Sequence, residues 1–183
     1  MFARTERLLL RPGWSQDAPA LLEAIRDERI VRNLATAPWP YRLEDAEAWL
    51  STERKASEPS LLIFRRREDS PELLGAIGLG RRPTGEIELG YWIKRHHWGR
   101  GYATEAGRAV LALARHSLRL RRLTAGHFLD NPASGRVLEK LGFRSVGRIA
   151  PYYSAGRGEA APCRLFTLEL DPEQEIAAAA MAA

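Results

Sequence analysis

The segment 86–117 constrains the fold more than any other part of the chain, because its hydrophobic period changes along its length. Residues 87–93 alternate apolar side chains with others, which predicts a β-strand. A turn containing Gly99 and Gly101 follows. Over residues 103–114, apolar or small residues recur three and four positions apart. That spacing predicts an amphipathic helix, so the segment is expected to form a strand, a glycine turn and a helix.

A strand, a glycine turn and a helix in this order suit a phosphate group. Glycines let the backbone pass close to an anion, and the free N–H groups at a helix start point at it. We therefore predict that Gly99–Thr104 hold a pyrophosphate, although a tight structural turn would also explain the two glycines. The glycine spacing fits neither the dinucleotide fingerprint GxGxxG nor the P-loop GxxxxGK followed by Ser or Thr.

The residues Trp98–Ala103 resemble the acetyl-coenzyme A loop of the GNAT acetyltransferase superfamily, Gln/Arg-x-x-Gly-x-Gly/Ala, with Trp98 in the first position. The longer string WGRGYATEA and the opening RLLLRP resemble the branch that includes the ribosomal-protein alanine N-acetyltransferases of the RimJ/RimL type. The resemblance spans nearly the whole chain. It implies an acyltransferase that moves an acetyl group from acetyl-CoA to a primary amine, either a protein N-terminus or a small molecule.

The length and composition of the chain predict the number of domains and the cellular compartment. A chain of 183 residues with 45% hydrophobic side chains is sufficient for one domain with a core, predicted here as residues 1–170. Residues 171–183 are expected to form a frayed or disordered tail. The single cysteine, Cys163, excludes an internal disulfide and fits a reducing compartment. Without an apolar run of membrane-spanning length or a signal-peptide core, a cytoplasmic protein with no membrane partner is expected.

The predicted elements give an α/β (α+β) fold. Strands are predicted at 5–12, 61–64, 73–79, 86–93, 122–128, 145–153 and 162–170, and helices at 17–26, 43–53, 102–117 and 132–142. Residues 27–34 extend the first helix or start another turn. Together with the resemblance, this order implies the GNAT fold. Its sheet is mixed, mostly antiparallel and twisted, with about seven strands, two splayed central parallel strands and about four flanking helices.

The resemblance also assigns contacts to the coenzyme. The backbone of Tyr91, Trp92 and Ile93 would hydrogen-bond the pantetheine arm, and one N–H would face the thioester oxygen. This requires a splayed strand, because a fully paired strand has no free donor. The other implied coenzyme contacts are Trp98, Gly99, Arg100, Gly101, Tyr102, Ala103, Thr104, Asn131, Ser134 and Arg136.

Two residues are candidates for the chemistry. Glu88 is the implied base, acting through water, with Glu86 on the same strand face as the alternative; both could equally be part of a polar strand surface. Ser134 is the candidate general acid, or only a hydrogen-bond donor to the thiolate, because Leu138 stands where many GNAT enzymes carry a tyrosine. Asn131 and Ser134 also fit a plain helix start before Pro132.

The acceptor site is less defined. Trp39, Tyr41, Glu86 and Tyr153 are the candidate acceptor contacts, and His96 and His97 are weaker candidates for a base because they precede the coenzyme loop. No His, Cys or Asp cluster has metal-ligand spacing, so no metal is expected. A homodimer is compatible with the resemblance. Two alternatives stay open: a coenzyme A-binding module without turnover, and an arginine-rich nucleic-acid binder, which lacks a recognisable module.

Overall fold

One mixed β-sheet organises the computed structural model, which describes residues 1–66 and 70–170. The strands are β1 (Ala3–Arg4), β2 (Leu8–Arg11), β3 (Ser60–Arg65), β4 (Glu72–Arg81), β5 (Ile87–Ile93), β6 (Arg122–Phe128), β7 (Arg144–Ser154) and β8 (Glu159–Glu169). The α-helices are α1 (Ala18–Ile25), α2 (Glu28–Val31), α3 (Leu43–Ser51), α4 (Tyr102–His116) and α5 (Pro132–Lys140). Short 3₁₀ turns cover Ser15–Asp17 and Arg95–His97.

The strand order across the sheet is β1-β2-β3-β4-β5-β6-β8-β7. Within the described residues every neighbouring pair is antiparallel except β5 and β6. The mixed, mostly antiparallel sheet expected from the sequence is therefore confirmed.

The described residues contain eight strands and five α-helices, one more of each than expected. The additional strand, β1, is a short segment that pairs back on β2, with Ala3 opposite Leu10. The additional helix, α2, arises because the chain leaves helical geometry at Arg26, where ψ is 55°. The side chain of Asp27 then accepts a hydrogen bond from the N–H of Arg29 and caps a new helix.

The two parallel strands separate soon after they meet. In the described chain, β5 and β6 form a single pair, Glu88 opposite Thr124. The hydroxyl of Thr124 supports it by donating to the carbonyl of Ile87 at 3.3 Å. Beyond that point β6 stays paired with β8, while β5 stays paired with β4. A gap therefore opens between the C-terminal halves of β5 and β6.

Helices cover both faces of the sheet and create two cores. One core contains Val110 and Leu138 and packs α4 and α5 against one face. The other contains Leu21 and Ala46 and packs α1 and α3 against the opposite face. Full burial of each such aliphatic side chain stabilises the fold by about 1.5–3 kcal/mol.

The alternation of side chains along β5 determines what faces each layer. Leu89 and Ile93 belong to the core under α4 and α5, and Tyr91 packs against that core. Trp92 packs against the core on the opposite face. Glu88 shares the parity of Trp92, so Tyr91 and Glu88 project to opposite sides of the sheet at the point where it opens.

No helix among residues 1–66 and 70–170 is long and apolar enough to cross a membrane. The cytoplasmic location stays a prediction. The tail expected at 171–183 lies outside the described residues.

Candidate active site

A cleft with a volume of about 400 Å³ occupies the gap between β5 and β6. Its walls come from β5, the glycine turn with the first turn of α4, the C-terminal end of β6 and the first turns of α5. The turn between β4 and β5, the segment after α2 and the strands β7 and β8 close its other end. The gap predicted from the sequence is therefore a cavity that joins the two faces of the sheet.

Backbone groups of β5 point into this gap. The N–H of Lys94 donates to Leu74 on β4 at 2.6 Å, and backbone direction alternates along a strand. Trp92 therefore turns its backbone towards β4, whereas Tyr91 and Ile93 turn theirs towards the gap. The carbonyl of Ile93 accepts the indole N–H of Trp98 at 2.6 Å, which ties the start of the glycine turn to the end of β5. Of the three predicted backbone contacts, Tyr91 and Ile93 face the gap.

The glycine turn has the geometry that its glycines predict. Gly99 and Gly101 have φ values of 74° and 78°, in the left-handed region that other residues avoid. Gly101 is the N-cap of α4, and no side chain caps this helix start. A Cβ atom built on Gly99 would meet nothing within 4 Å, so the turn borders open space. N–H groups without a side-chain cap at the start of a long helix, next to a turn that borders open space, fit a diphosphate.

Arg7 holds the turn from outside the cleft. Its Nη1 donates to the carbonyl of Arg100 at 3.1 Å, and its Nη2 lies 2.6 Å from the carboxylate of Glu105. Its guanidinium also stacks on the ring of Tyr102, 4.6 Å from the centroid. These contacts give a structural role to Arg7, the first residue of the RLLLRP string. The side chain of Arg100 is exposed, and Arg100 is not among the described residues that line the cleft.

The opposite wall is the start of α5. The side chain of Asn131 accepts from the N–H of Ser134 at 3.4 Å, so the predicted helix cap is present. Asn131, Ser134 and Arg136 all line the cleft. Leu138 is buried in the core, with 1% of its surface exposed.

The side chain of Tyr91 reaches Ser134 from β5, although only a backbone role was predicted for this residue. The hydroxyl of Tyr91 donates to the carbonyl of Ser134 at 3.0 Å and lies 2.8 Å from Ser134 Oγ. Burial raises the pKa of Tyr91 to about 12, against the effect of the hydrogen bond with Ser134. The phenol therefore stays protonated at neutral pH. The signal was available, because the strand period places Tyr91 on the face of Leu89 and Ile93.

On the other side of the sheet, Glu88 forms an ion pair. Arg82 Nη1 lies 3.0 Å from Glu88 Oε2, and the guanidinium stacks on the ring of Tyr152 at 4.2 Å. Burial raises the pKa of Glu88, against the opposing effect of Arg82. Burial and the nearby charge of Glu88 raise the pKa of the Cys163 thiol to about 11, so this cysteine is a neutral thiol. The sequence analysis did not single out Arg82.

Residues 7–144 match the family model described as "Acetyltransferase (GNAT) domain". The chain belongs to the GNAT acetyltransferase family. The uncharacterized N-acetyltransferase YoaA of Bacillus subtilis (strain 168) is 30% identical over 81% of this chain and 85% of its own length. The ribosomal-protein-serine acetyltransferase of Escherichia coli (strain K12) is 29% identical over 57% of this chain and 62% of its own length.

Solved structures give the same fold. A GNAT-family acetyltransferase from Bacillus anthracis matches with a TM-score of 0.79 at 24% identity, covering 93% of this chain and 99% of that one. RimL, a ribosomal L7/L12 α-N-protein acetyltransferase in complex with coenzyme A, matches with a TM-score of 0.76 at 17% identity, covering 92% and 98%. The expected GNAT fold and the likeness to the RimJ/RimL branch are confirmed, and the protein is a GNAT acyltransferase.

His97 is one of the two histidines that precede the glycine turn of this GNAT protein. His97 is buried, and its Nε2 lies 2.9 Å from Glu72 Oε1 on β4. Its ring also meets Tyr102 edge to face at 6.0 Å. These contacts place His97 beneath the turn, on the opposite side of the cleft from Glu88. Within the described residues no group of three or more His, Cys, Asp or Glu could hold a metal ion, and metal-free chemistry stays a prediction.

The candidate acceptor contacts separate into two groups. Tyr153 lines the GNAT cleft, whereas Trp39, Tyr41 and Glu86 are not among the described lining residues. Tyr41 is 8% exposed and packs in the core under α1 and α3, and Trp39 is 42% exposed. Glu86 accepts a hydrogen bond from Thr84 Oγ1 at 3.1 Å. The structure therefore brings Glu88 and Tyr153 to the cleft, but not the other three.

Proposed function

We propose that this protein transfers the acetyl group of acetyl-CoA to a primary amine by direct attack in a ternary complex. The observation that carries the proposal is one cleft with a glycine-built, uncapped helix start at one end and a half-buried carboxylate at the other. The GNAT family membership supports the acetyl transfer, and the coenzyme A complex of RimL supports the choice of coenzyme. A cytoplasmic location and a homodimer belong to the same proposal.

The cleft divides into two parts. We call the part built from Tyr91, Ile93, Gly99–Thr104 and Ser134 the coenzyme half. We call the part built from Arg82, Glu88, Tyr152 and Tyr153 the acceptor half. The N–H groups of Gly99–Thr104 would bind the pyrophosphate, with Trp98, Asn131 and Arg136 beside them. The N–H groups of Tyr91 and Ile93 would bind the pantetheine arm and the thioester oxygen, because they face the gap and have no partner strand there.

Glu88 begins the proposed reaction as the base. It takes a proton from the acceptor ammonium, directly or through a water molecule, and leaves a neutral amine. As the new C–N bond forms, an N–H group of β5 stabilises the negative charge on the thioester oxygen. The C–S bond then breaks, and the nitrogen gives up its second proton. Ser134 either donates a hydrogen bond to the departing sulfur or passes it a proton and regains one from that nitrogen. Burial suits Glu88 to this role, since its raised pKa makes it a better proton acceptor than an exposed carboxylate.

Tyr91 would act through Ser134. With Leu138 in the core, the tyrosine that meets this serine comes from β5 instead of α5. During the reaction the phenol would donate its single proton to Ser134 Oγ instead of to the Ser134 carbonyl, which leaves the proton of Ser134 free for the sulfur. Accepting this bond fixes the Ser134 hydroxyl in one orientation and makes it a stronger donor, since hydrogen-bonded chains polarise one another. Tyr91 is a positioning residue in this proposal.

A thermal-shift titration with acetyl-CoA, followed by a thiol-release assay with a panel of amines and peptides, tests the proposal. We expect stabilisation by the coenzyme and acceptor-dependent release of its thiol. Coenzyme binding without release from any acceptor would indicate a binding module, and the absence of coenzyme binding would refute the proposal.

Ser134→Ala tests the acid assignment separately. We expect turnover to fall about 10-fold or more, because a hydrogen bond to the charged leaving group is lost, while the affinity for acetyl-CoA stays nearly unchanged. A variant that works at full speed would remove Ser134 from the mechanism.

A further inference from the structure

The carboxylate in the acceptor half is already paired with a cation. Arg82 lies in the turn between β4 and β5, and its Nη1 is 3.0 Å from Glu88 Oε2. The two side chains are only 29% and 20% exposed. Both line the cleft, as does Tyr152, whose ring lies under the guanidinium. The acceptor half thus presents a largely desolvated ion pair with no net charge.

This pairing sets a condition on the acceptor. A simple ammonium gains little net attraction from a neutral pair, because the pull of Glu88 is offset by the repulsion of Arg82. If the ammonium displaced Arg82 from Glu88, a partly buried guanidinium would lose its partner, which is strongly destabilising. Arg29 also lines the cleft, but its side chain is 56% exposed, so water screens its charge far more than that of Arg82. An acceptor that supplies its own anion avoids both costs.

We propose that the acceptor is a small zwitterion, a free amino acid or a similar amine with an anionic group a few bonds away. Its anion binds Arg82 while its ammonium faces Glu88. This inference rests on the proposed acetyl transfer and names the substrate class of the same site. The planar fork of Arg82, held flat by the Tyr152 ring, suits a carboxylate, which it can bind through two parallel hydrogen bonds.

The exchange of partners would also prepare the base. Arg82 holds down the pKa of Glu88, in opposition to burial and to the nearby Glu86. When a substrate anion takes over the guanidinium, Glu88 loses that influence and becomes a stronger proton acceptor. Glu88 would then face the ammonium as its new ionic partner, so the site gains basicity only when a matching acceptor is bound.

The test is a thiol-release assay with acetyl-CoA and matched acceptors. The acceptors are a panel of free amino acids, each amino acid's C-terminal amide, an amidated peptide and spermidine. We expect kcat/KM for the best free amino acid to exceed that for its amide by about 10-fold or more, the effect of one hydrogen bond to a charged group. The comparison is biased against the proposal, because the amine of the amide loses its proton more readily.

Variants of Arg82 test whether the preference for free amino acids depends on this side chain. Arg82→Gln should lower kcat/KM for the free amino acid by about 10- to 100-fold. It should raise kcat/KM for the amide, because the repulsion between Arg82 and the ammonium is removed as well. Arg82→Lys should keep part of the preference. Arg81→Gln is the matched control, since Arg81 pairs with Glu58 and is not among the described residues of the cleft. It should keep the full preference. An acetyl-CoA thermal shift equal to that of the unmodified protein shows that each variant is folded.

The outcomes separate the two claims. Equal or better rates with amides, the peptide or spermidine would overturn the zwitterion assignment and leave acetyl transfer standing. A preference for free amino acids that survives in Arg82→Gln would overturn the role of Arg82. No thiol release from any acceptor would refute the proposed function and, with it, this inference. The comparison of acids with amides needs no variant, so it decides the substrate class even if Arg82→Gln does not fold.

Discussion

The two halves of the cleft are built in different ways. The coenzyme half consists largely of backbone N–H groups from β5 and the glycine turn, with one wall added by the start of α5. The acceptor half consists of side chains from the turn after β4, from β5 and from β7, which are far apart in the chain. Backbone groups are fixed by local conformation, whereas the side-chain pairs depend on tertiary packing. The first half should therefore respond to changes in backbone geometry, and the second to changes in charge.

The largest loss of activity is expected when the charge of the acceptor half is changed. Glu88→Gln keeps the shape of the side chain but removes the base, so kcat should fall by about 100- to 10,000-fold. The affinity for acetyl-CoA, measured by calorimetric titration, should stay unchanged because the coenzyme half is intact.

Glu86→Gln is the matched control for this change. Glu86 bonds to Thr84 and is not among the described residues of the cleft, so we expect near-normal turnover. A severe loss in Glu86→Gln with mild loss in Glu88→Gln would move the base to Glu86. The pH dependence of kcat/KM gives a further test. Glu88 must be ionised to act as the base, and its pKa is raised above 4.5. As the pH is lowered, kcat/KM should therefore begin to fall at a higher pH than it would with an exposed carboxylate as the base. Glu88→Gln should lack this limb.

An intermediate effect, on the affinity for acetyl-CoA, is expected when the backbone conformation of the coenzyme half is changed. Gly99→Ala places a Cβ at φ 74°, which costs about 1–2 kcal/mol. The space around Gly99 is open, so the penalty is conformational and not a clash. We expect the turn to relax and the affinity for acetyl-CoA to fall about 5- to 30-fold, as measured by titration calorimetry.

Gly147→Ala is the control, because Gly147 has φ 72°, open surroundings and a position on β7 outside the described cleft. Its melting temperature should fall while its coenzyme affinity stays normal. An unaltered coenzyme affinity in Gly99→Ala would contradict a pyrophosphate site at this turn.

The smallest effect is expected where the coenzyme half depends on a side chain. Tyr91→Phe removes one hydroxyl, so kcat should fall about 2- to 10-fold with little change in KM for acetyl-CoA. In a Ser134→Ala background the same change should have no further effect on kcat, because Tyr91 acts only through the serine. Additive losses in the double variant would show that Tyr91 works independently of Ser134.

Local patterns were sufficient to predict much of the fold and the conformation of the glycine turn, whereas the coenzyme contacts came from the resemblance to the GNAT superfamily and stay predictions. The change of period in segment 86–117, the glycines at 99 and 101 and the Asn131 cap all act within a few residues of themselves. The alternation along β5 also predicted that Glu86 and Glu88 share one strand face. Tyr41 shows the limit of such reasoning: an aromatic ring in a proline-flanked loop was expected at the acceptor, but it packs in the core under α1 and α3.

The sequence by itself indicated most strands and helices, the glycine turn and the cap at Asn131, because strand period, glycine conformation and helix capping are short-range properties of the chain. The mixed sheet with its splayed strands was implied by the resemblance to the GNAT superfamily. The sequence did not specify that Tyr91 meets Ser134, 43 residues later, or that Arg82 neutralises Glu88 over the ring of Tyr152. Those contacts exist only once folding has brought the start of α5 to β5 and Tyr152 of β7 to the turn between β4 and β5. A side chain's partner depends on which distant element packs on its face, and no local pattern encodes that choice.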